Sequence, residues 1–126
     1  MASLRILIAD DKPLVRSGLR MLLERHQHWM VCGEATDGFE AVEQAEALRP
    51  DVILLDVSMP KLDGLMAVPL IREKLPDAAI IILTLHQSLS MARIAARAGA
   101  RAYIAKSLLT NHLVPAIESL QAEKGL

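Results

Sequence analysis

Val52-Ile53-Leu54-Leu55-Asp56 is the most informative segment of the chain, because four consecutive apolar residues end at a carboxylate. Consecutive apolar positions are typical of a parallel strand that is buried on both faces. Four other short apolar runs occur, at Leu4–Ala9, Met30–Ala35, Ala79–Leu83 and Ala102–Ala105. Segments with helical periodicity separate the runs. This alternation predicts an α/β fold, in which five parallel strands form a sheet with helices on both faces, a three-layer sandwich.

Two prolines complicate the helical segments. Pro69 falls inside the third helix if that helix begins at Asp63-Gly64, so the sequence predicts either a kink or a later start. Pro115 raises the same problem in the last helix, which we expect to begin near Asn111 or His112.

Length and composition restrict the class of protein. The chain of 126 residues fits a single domain, residues 1–126, and its net charge of −1 argues against a strongly basic nucleic-acid clamp or a polybasic membrane segment. Cys32 is the only cysteine, which excludes an intrachain disulfide and fits a reducing compartment. No apolar run approaches the roughly 20 residues that span a bilayer. We therefore expect a cytoplasmic domain that does not contact membranes.

Polar residues follow four of the predicted strands, at the edge of a parallel sheet where ligands bind. They are Asp10, Asp11, Asp56, Thr84 and Lys106. Each also has an ordinary structural interpretation. Asp11 could cap the first helix, Asp56 could simply end its strand, and Lys106 could be a solvated surface lysine.

The combination favours a functional site. Three converging carboxylates would repel by roughly 3–4 kcal/mol per pair at an effective dielectric of about 20, so a cation must compensate them. Hard oxygen ligands of this kind suit Mg²⁺. With the ammonium of Lys106 and the hydroxyl of Thr84 at the same edge, the pocket matches the needs of a phosphoryl group, which a carboxylate can attack in line.

Five segments, in their order and spacing, resemble a two-component response-regulator receiver domain, most closely those of the LuxR/NarL-type transcription regulators. The segments are Ala9-Asp10-Asp11, Leu54-Leu55-Asp56-Val57-Ser58-Met59-Pro60, Leu62-Asp63-Gly64-Leu65, Leu83-Thr84-Leu85-His86 and Ala98-Gly99-Ala100-Arg101-Ala102-Tyr103-Ile104-Ala105-Lys106. The resemblance implies a flavodoxin-like sheet with strand order 2-1-3-4-5.

The resemblance also implies the roles of the acidic residues. Asp56 would be the phosphoacceptor and would take its phosphoryl group from a sensor histidine kinase. Asp11, Asp56 and the backbone carbonyl of Ser58 would bind Mg²⁺ directly, and Asp10 would bind it through water.

The resemblance further implies a conformational change on phosphorylation, and the remaining roles concern it. Lys106 would hold a phosphoryl oxygen, and Thr84 with Tyr103 would form the pair that changes conformation. The change would be read on the face formed by the fourth helix, the fifth strand and the fifth helix. The implied function is a phosphorylation-controlled switch and not a metabolic enzyme.

Receivers of this type normally precede a helix-turn-helix domain. The sequence contains no such domain, so we expect either a receiver cut from a longer regulator or a stand-alone receiver. We favour the first, with DNA bound only through the absent output domain. A homodimer through a helical face is a further expectation.

Three positions depart from the commonest receiver pattern, and Pro69, which interrupts the third helix, is one of them. Ser107 stands where many receivers have proline, and we predict a trans Lys106–Ser107 peptide because a cis bond before a non-proline residue costs about 3 kcal/mol. Lys12 places an extra cation beside the acidic pair, where it could attract phosphate or compete with the metal.

Other residues keep two interpretations. His86 could position or exclude the water that hydrolyses an aspartyl phosphate, or it could be an ordinary exposed loop residue. Cys32 and Trp29 are predicted to be packing residues. Arg93, Arg97 and Arg101 form a basic stretch that we interpret as a solvated face able to contact a partner.

Other classes fit less well. A phosphatase of the haloacid dehalogenase type needs Asp-x-Asp after its first strand, which Asp10-Asp11-Lys12 does not supply. A nucleotide-binding Rossmann domain needs Gly-x-Gly-x-x-Gly at that place, and it is absent. A receiver-like module that never carries phosphate stays as an alternative, although the intact acidic set argues against it.

Overall fold

The computed structural model describes residues 3–124, which form one parallel five-stranded sheet. The strands are β1 (Leu4–Ala9), β2 (Trp29–Ala35), β3 (Val52–Asp56), β4 (Ala79–Thr84) and β5 (Ala102–Ala105). The helices are α1 (Pro13–Glu24), α2 (Gly38–Leu48), α3 (Gly64–Lys74), α4 (Leu89–Ala98) and α5 (Leu109–Lys124), and a 3₁₀ turn at Lys106–Leu108 precedes α5. The strand order β2-β1-β3-β4-β5 confirms the flavodoxin-like prediction.

The sheet separates two apolar layers. Alternate strand residues point to opposite faces, so each strand supplies side chains to both layers. One layer contains α1 and α5, and its buried residues include Ile6, Leu54, Ile81, Leu23 and Ile117. The other contains α2, α3 and α4, and its buried residues include Leu7, Ile53, Ile82, Ile71 and Ala95. Burial on both faces explains why β3 and β4 are apolar at consecutive positions.

The two helical prolines lie inside continuous helices. α3 begins at Gly64, where the Asp63 carboxylate accepts a hydrogen bond from the Met66 amide at 2.9 Å, so a later start was wrong. α5 begins at Leu109, which also corrects the predicted start near Asn111 or His112. Pro69 and Pro115 are exposed. The carbonyl that Pro115 leaves free belongs to exposed Asn111, where water can hydrogen-bond it, which reduces the cost of an interior proline.

The two predicted packing residues lie in β2. Trp29 begins the strand, one residue earlier than predicted, and is buried. Its ring stacks on His26 with 3.7 Å between centroids, and its indole N–H donates to Gln121 Oε1 at 3.1 Å, which ties β2 to α5. Cys32 is half-buried, and burial raises the pKa of its thiol, as expected for a packing residue.

Across residues 3–124, each helix is too short or too polar to serve as a membrane span.

Arg72 joins three segments at the edge of the second layer. Its guanidinium donates to the carbonyls of Leu75, Pro76 and Ala78 at 3.1, 2.9 and 2.5 Å. A further bond, to the Gly99 carbonyl at 2.7 Å, reaches the end of α4. One side chain therefore fixes the turn between α3 and β4 and the position of α4.

The Arg72→Met variant should lose about 2 kcal/mol of unfolding free energy, because the aliphatic stem is kept while partly buried carbonyls lose a charged donor. Urea denaturation measures the loss. Arg93→Met, at an exposed position of α4, is the matched control and should stay within about 0.5 kcal/mol of the wild type. Equal stability of the two variants would contradict the role assigned to Arg72.

Candidate functional site

Three aspartates converge at the carboxyl ends of β1 and β3, as predicted. Asp10 and Asp11 directly follow β1, Asp56 is the last residue of β3, and the two strands are neighbours in the sheet. One carboxylate oxygen from each residue lies within 4.8 Å of the others. Asp10 and Asp56 are buried, whereas the side chain of Asp11 is 35% exposed. The acidic cluster is therefore buried at Asp10 and Asp56 and accessible to solvent at Asp11.

Lys106 reaches this pocket from the end of β5. Its Nζ lies 2.9 Å from Asp10 Oδ2 and 3.0 Å from Asp56 Oδ1. Burial alone would lower the pKa of Lys106, but the hydrogen bonds to the two carboxylates outweigh burial and raise it. The ammonium therefore stays charged and bridges the two buried aspartates. The interpretation of Lys106 as a solvated surface lysine was wrong.

Asp56 has an unsatisfied oxygen. Its Oδ2 is buried and has no hydrogen-bond partner among residues 3–124, while its Oδ1 accepts from Lys106 and, at 3.4 Å, from the Ser58 amide. Burial raises the pKa of Asp56, the charge of Asp10 adds to the rise, and Lys106 opposes it. A buried carboxylate oxygen without a partner is costly, and a divalent cation beside three carboxylates would satisfy it. The donor set fits Mg²⁺.

Asp10 is held by contacts that the sequence analysis did not identify. The Lys12 amide donates to Asp10 Oδ1 at 2.8 Å, and the Arg16 guanidinium donates to the Asp10 carbonyl at 2.8 Å. Arg16 is itself fixed by Glu34 Oε1 at 2.9 Å. Arg16 lies on α1 and Glu34 on β2. Their opposite charges were the only indication of this ion pair in the sequence, which does not show that α1 and β2 bring them together.

The position of Lys12, directly before α1, rules out the interpretation of Asp11 as the cap of that helix. Lys12 occupies the N-cap position of α1 and makes no side-chain cap, with Pro13 next in the helix, so Asp11 does not cap this helix. The Lys12 ammonium lies 3.2 Å from Asp11 Oδ1 and is half-exposed. The carboxylate of Asp11 is thus available to the acidic cluster, with a half-exposed cation beside it.

Thr84 and Tyr103 meet at one acceptor. The Thr84 hydroxyl at the end of β4 donates to the His86 carbonyl at 3.1 Å, and the Tyr103 hydroxyl donates to the same carbonyl at 3.2 Å. The His86 amide donates back to Thr84 Oγ1 at 3.3 Å. His86 therefore links the two predicted switch residues through its backbone, while its side chain is exposed.

The structure also tests two further expectations, one on the peptide bond after Lys106 and one on the arginines around α4. The Lys106–Ser107 peptide is trans, as predicted, and residues 3–124 contain no cis peptide. The basic stretch around α4 is exposed, but Arg101 is not a free cation because it forms an ion pair with Glu123 of α5.

Fold and site together define a receiver-type signalling domain. The family description "Response regulator receiver domain" matches residues 6–118. The chain therefore belongs to the receiver-domain family of two-component response regulators.

Among curated relatives, the transcriptional regulatory protein MctR of Rhizobium johnstonii is 37% identical over 117 residues, which cover 93% of this chain and 55% of that protein. The transcriptional regulatory protein PdtaR of Mycobacterium tuberculosis is 42% identical over 114 residues, 90% of this chain and 55% of that protein. This chain thus spans about half the length of these relatives.

Two solved structures of response regulators have the same fold as this chain. A LuxR-family two-component response regulator from Aurantimonas sp. SI85-9A1 superposes with a TM-score of 0.91 at 38% identity, covering 97% of this chain and 87% of that one. The receiver domain of the response regulator NarL from Mycobacterium tuberculosis gives a TM-score of 0.87 at 31% identity, covering 94% and 96%.

The Asp56→Asn variant should be more stable than the wild type near neutral pH when divalent cations are removed. Because the pKa of Asp56 is raised above 3.8, ionising this residue costs more in the folded protein than in the unfolded chain. The unfolding free energy of the wild type therefore falls as pH rises through this pKa, and the advantage of the variant should vanish in acid. Urea denaturation with EDTA at pH about 7 and about 4 measures it.

The matched control is Asp77→Asn, at an exposed carboxylate away from the pocket, which should show no such pH-dependent gain. An Asp56→Asn protein that is less stable than the wild type near neutral pH would show that the bond from Lys106 outweighs burial.

Proposed function

We propose that Asp56 is the phosphoacceptor of a two-component phosphorelay and takes a phosphoryl group from a phosphohistidine of a sensor histidine kinase. The observation that supports this most directly is the buried, unpartnered Oδ2 of Asp56, beside an ammonium and two more carboxylates. An oxygen without a hydrogen bond leaves the carboxylate with free lone pairs, for a metal ion or for attack on phosphorus. The structural alternative, in which Asp56 merely ends its strand, does not account for Lys106.

Asp11, Asp56 and the backbone carbonyl of Ser58 would hold Mg²⁺ directly, and Asp10 would hold it through water. When bound, the metal supplies positive charge for the phosphoryl oxygens. One oxygen of the Asp56 carboxylate forms the new O–P bond as the P–N bond of the phosphohistidine breaks, and the electron pair of that bond returns to the imidazole nitrogen. Lys106 neutralises a phosphoryl oxygen as the Asp56 carboxylate loses its charge.

The domain would assist its own phosphorylation and dephosphorylation and would turn over no metabolite. Hydrolysis of the aspartyl phosphate needs a water molecule near Asp56. The exposed ring of His86 keeps both of its interpretations, because the contacts that link it to Thr84 and Tyr103 involve its backbone.

The output is proposed to be transcription, since relatives such as MctR and PdtaR are transcriptional regulatory proteins about twice as long as the matched region. In this proposal a helix-turn-helix domain of the full-length protein binds DNA in the cytoplasm, and the receiver controls it. Phosphorylation would also favour a homodimer through a helical face.

Incubation with acetyl phosphate and Mg²⁺ should add one phosphoryl group to the protein, and Asp56→Asn should abolish the addition because only this aspartate joins the unpartnered oxygen to Lys106. Intact mass spectrometry measures the product. Asp51→Asn, which lies just before the same strand at its opposite end, is the matched control and should be phosphorylated like the wild type. Phosphoryl addition to Asp56→Asn would refute the assignment.

Binding of Mg²⁺ and beryllofluoride at Asp56 should draw the Thr84 hydroxyl away from the His86 backbone, to which it is bonded through both the carbonyl and the amide. The His86 carbonyl should then shift, and the Tyr103 hydroxyl that it also accepts from should lose its bond. Side-chain NMR should then show a changed environment of the Tyr103 ring. Tyr103→Phe removes one ordinary hydrogen bond and should destabilise the resting conformation by about 1 kcal/mol relative to the active one. The active conformation should therefore be more populated without the mimic. An unchanged Tyr103 ring in the complex would place the output on another face.

A further inference from the structure

The loop between β3 and α3, residues 57–63, follows Asp56 and carries Ser58. Its first residue is fixed from two sides, because the Val57 amide donates to the Leu83 carbonyl and the Val57 carbonyl accepts from the Gly64 amide, both at 3.0 Å. Between these points Lys61 has a φ of 67°, a left-handed conformation that costs a non-glycine residue about 1–2 kcal/mol. Such a loop keeps its shape only if its surroundings hold it.

The N-terminus of α2 supplies that support. A Cβ built on Gly38 would overlap the Leu62 carbonyl oxygen and lie 2.7 Å from the Leu62 carbonyl carbon, closer than real Cβ contacts come. Gly38 is buried, so the absence of a side chain lets the backbones of α2 and the loop touch directly. At the other end of the loop, a Cβ on Gly64 would lie 2.9 Å from the Asp56 carbonyl carbon.

The Gly38 backbone cannot easily yield. Asp37 is buried and caps α2, accepting a hydrogen bond from the Glu40 amide at 2.9 Å. The Lys61 ammonium also lies 3.7 Å from Asp37 Oδ2, which joins the loop to the same helix start. A larger residue at position 38 must therefore push the loop away from this helix start at Leu62.

We propose that Gly38 is a positioning residue for the metal site, acting through Leu62 to set where the 57–63 loop presents the Ser58 carbonyl. This rests on the proposed function, in which that carbonyl binds Mg²⁺. Groups that orient metal ligands without touching the metal typically change metal affinity about 10-fold to 100-fold when altered. Gly38 belongs to this class even though its element contributes no residue to the acidic cluster.

The experiment is a Mg²⁺ titration followed by amide NMR, with urea denaturation in parallel. Gly38→Ala should raise the Mg²⁺ dissociation constant about tenfold. Gly33→Ala is the control for general crowding, because its Cβ would meet only the ends of side chains, those of Leu48 at 2.6 Å, Gln44 at 2.7 Å and Leu7 at 3.3 Å, and no backbone atom among its three nearest neighbours. Gly18→Ala, whose Cβ would meet nothing within 4 Å, is the control for the substitution itself. Both controls should bind Mg²⁺ like the wild type, whatever their stability.

Wild-type affinity in folded Gly38→Ala, or equal weakening in Gly33→Ala, would overturn the proposal. If Gly38→Ala does not fold, the wild-type titration still tests it. Mg²⁺ should shift the amide signals of Gly38 and Glu40 but not that of Gly33, and unshifted α2 signals would overturn it. A wild-type protein that binds no Mg²⁺ would instead refute the proposed function, and this proposal with it.

Discussion

The contact of the Lys106 ammonium with two buried carboxylates is the interaction on which the site depends. Asp10 and Asp56 lie at the ends of adjacent strands and would repel each other without a cation between them. Lys106 compensates this repulsion only in part, because the pKa of Asp56 is still raised and its Oδ2 has no partner. The resting pocket is therefore under-neutralised, which would favour a divalent cation at this place.

The sheet explains how three distant segments reach one point. β3 occupies the centre, between β1 and β4, so residues that follow β1 and β5 approach Asp56 from its two sides. All of the residues of β3 are buried, and so are those of β4. Full burial of a side chain of this kind contributes about 1.5–3 kcal/mol, so the stability of the central strands fixes the geometry at their ends. The packed core therefore keeps the carboxylates at the strand ends close together although they repel each other.

The rim also contains a shared acceptor. The hydroxyls of Thr84 and Tyr103 donate to the same His86 carbonyl, so a change at one hydroxyl alters the hydrogen bonding of the other. The two residues lie on neighbouring strands, β4 and β5. Coupling between them therefore needs no long path, only a shift of the one peptide carbonyl to which both hydroxyls are bonded.

The sequence by itself determined the five strands, their alternation with helices and the five polar residues at the strand ends, because these follow from apolar runs and from the polar residue that ends each run. It did not determine where α5 begins, because exposed Pro115 is tolerated within the helix when water can bond the freed carbonyl. Only the tertiary structure decided that Arg16 holds the Asp10 carbonyl, that one carbonyl joins Thr84 to Tyr103, and that Gly38 touches Leu62. These contacts join residues that become neighbours only when separate elements pack together. No local pattern of hydrophobicity or charge in the sequence indicates that they are close in space.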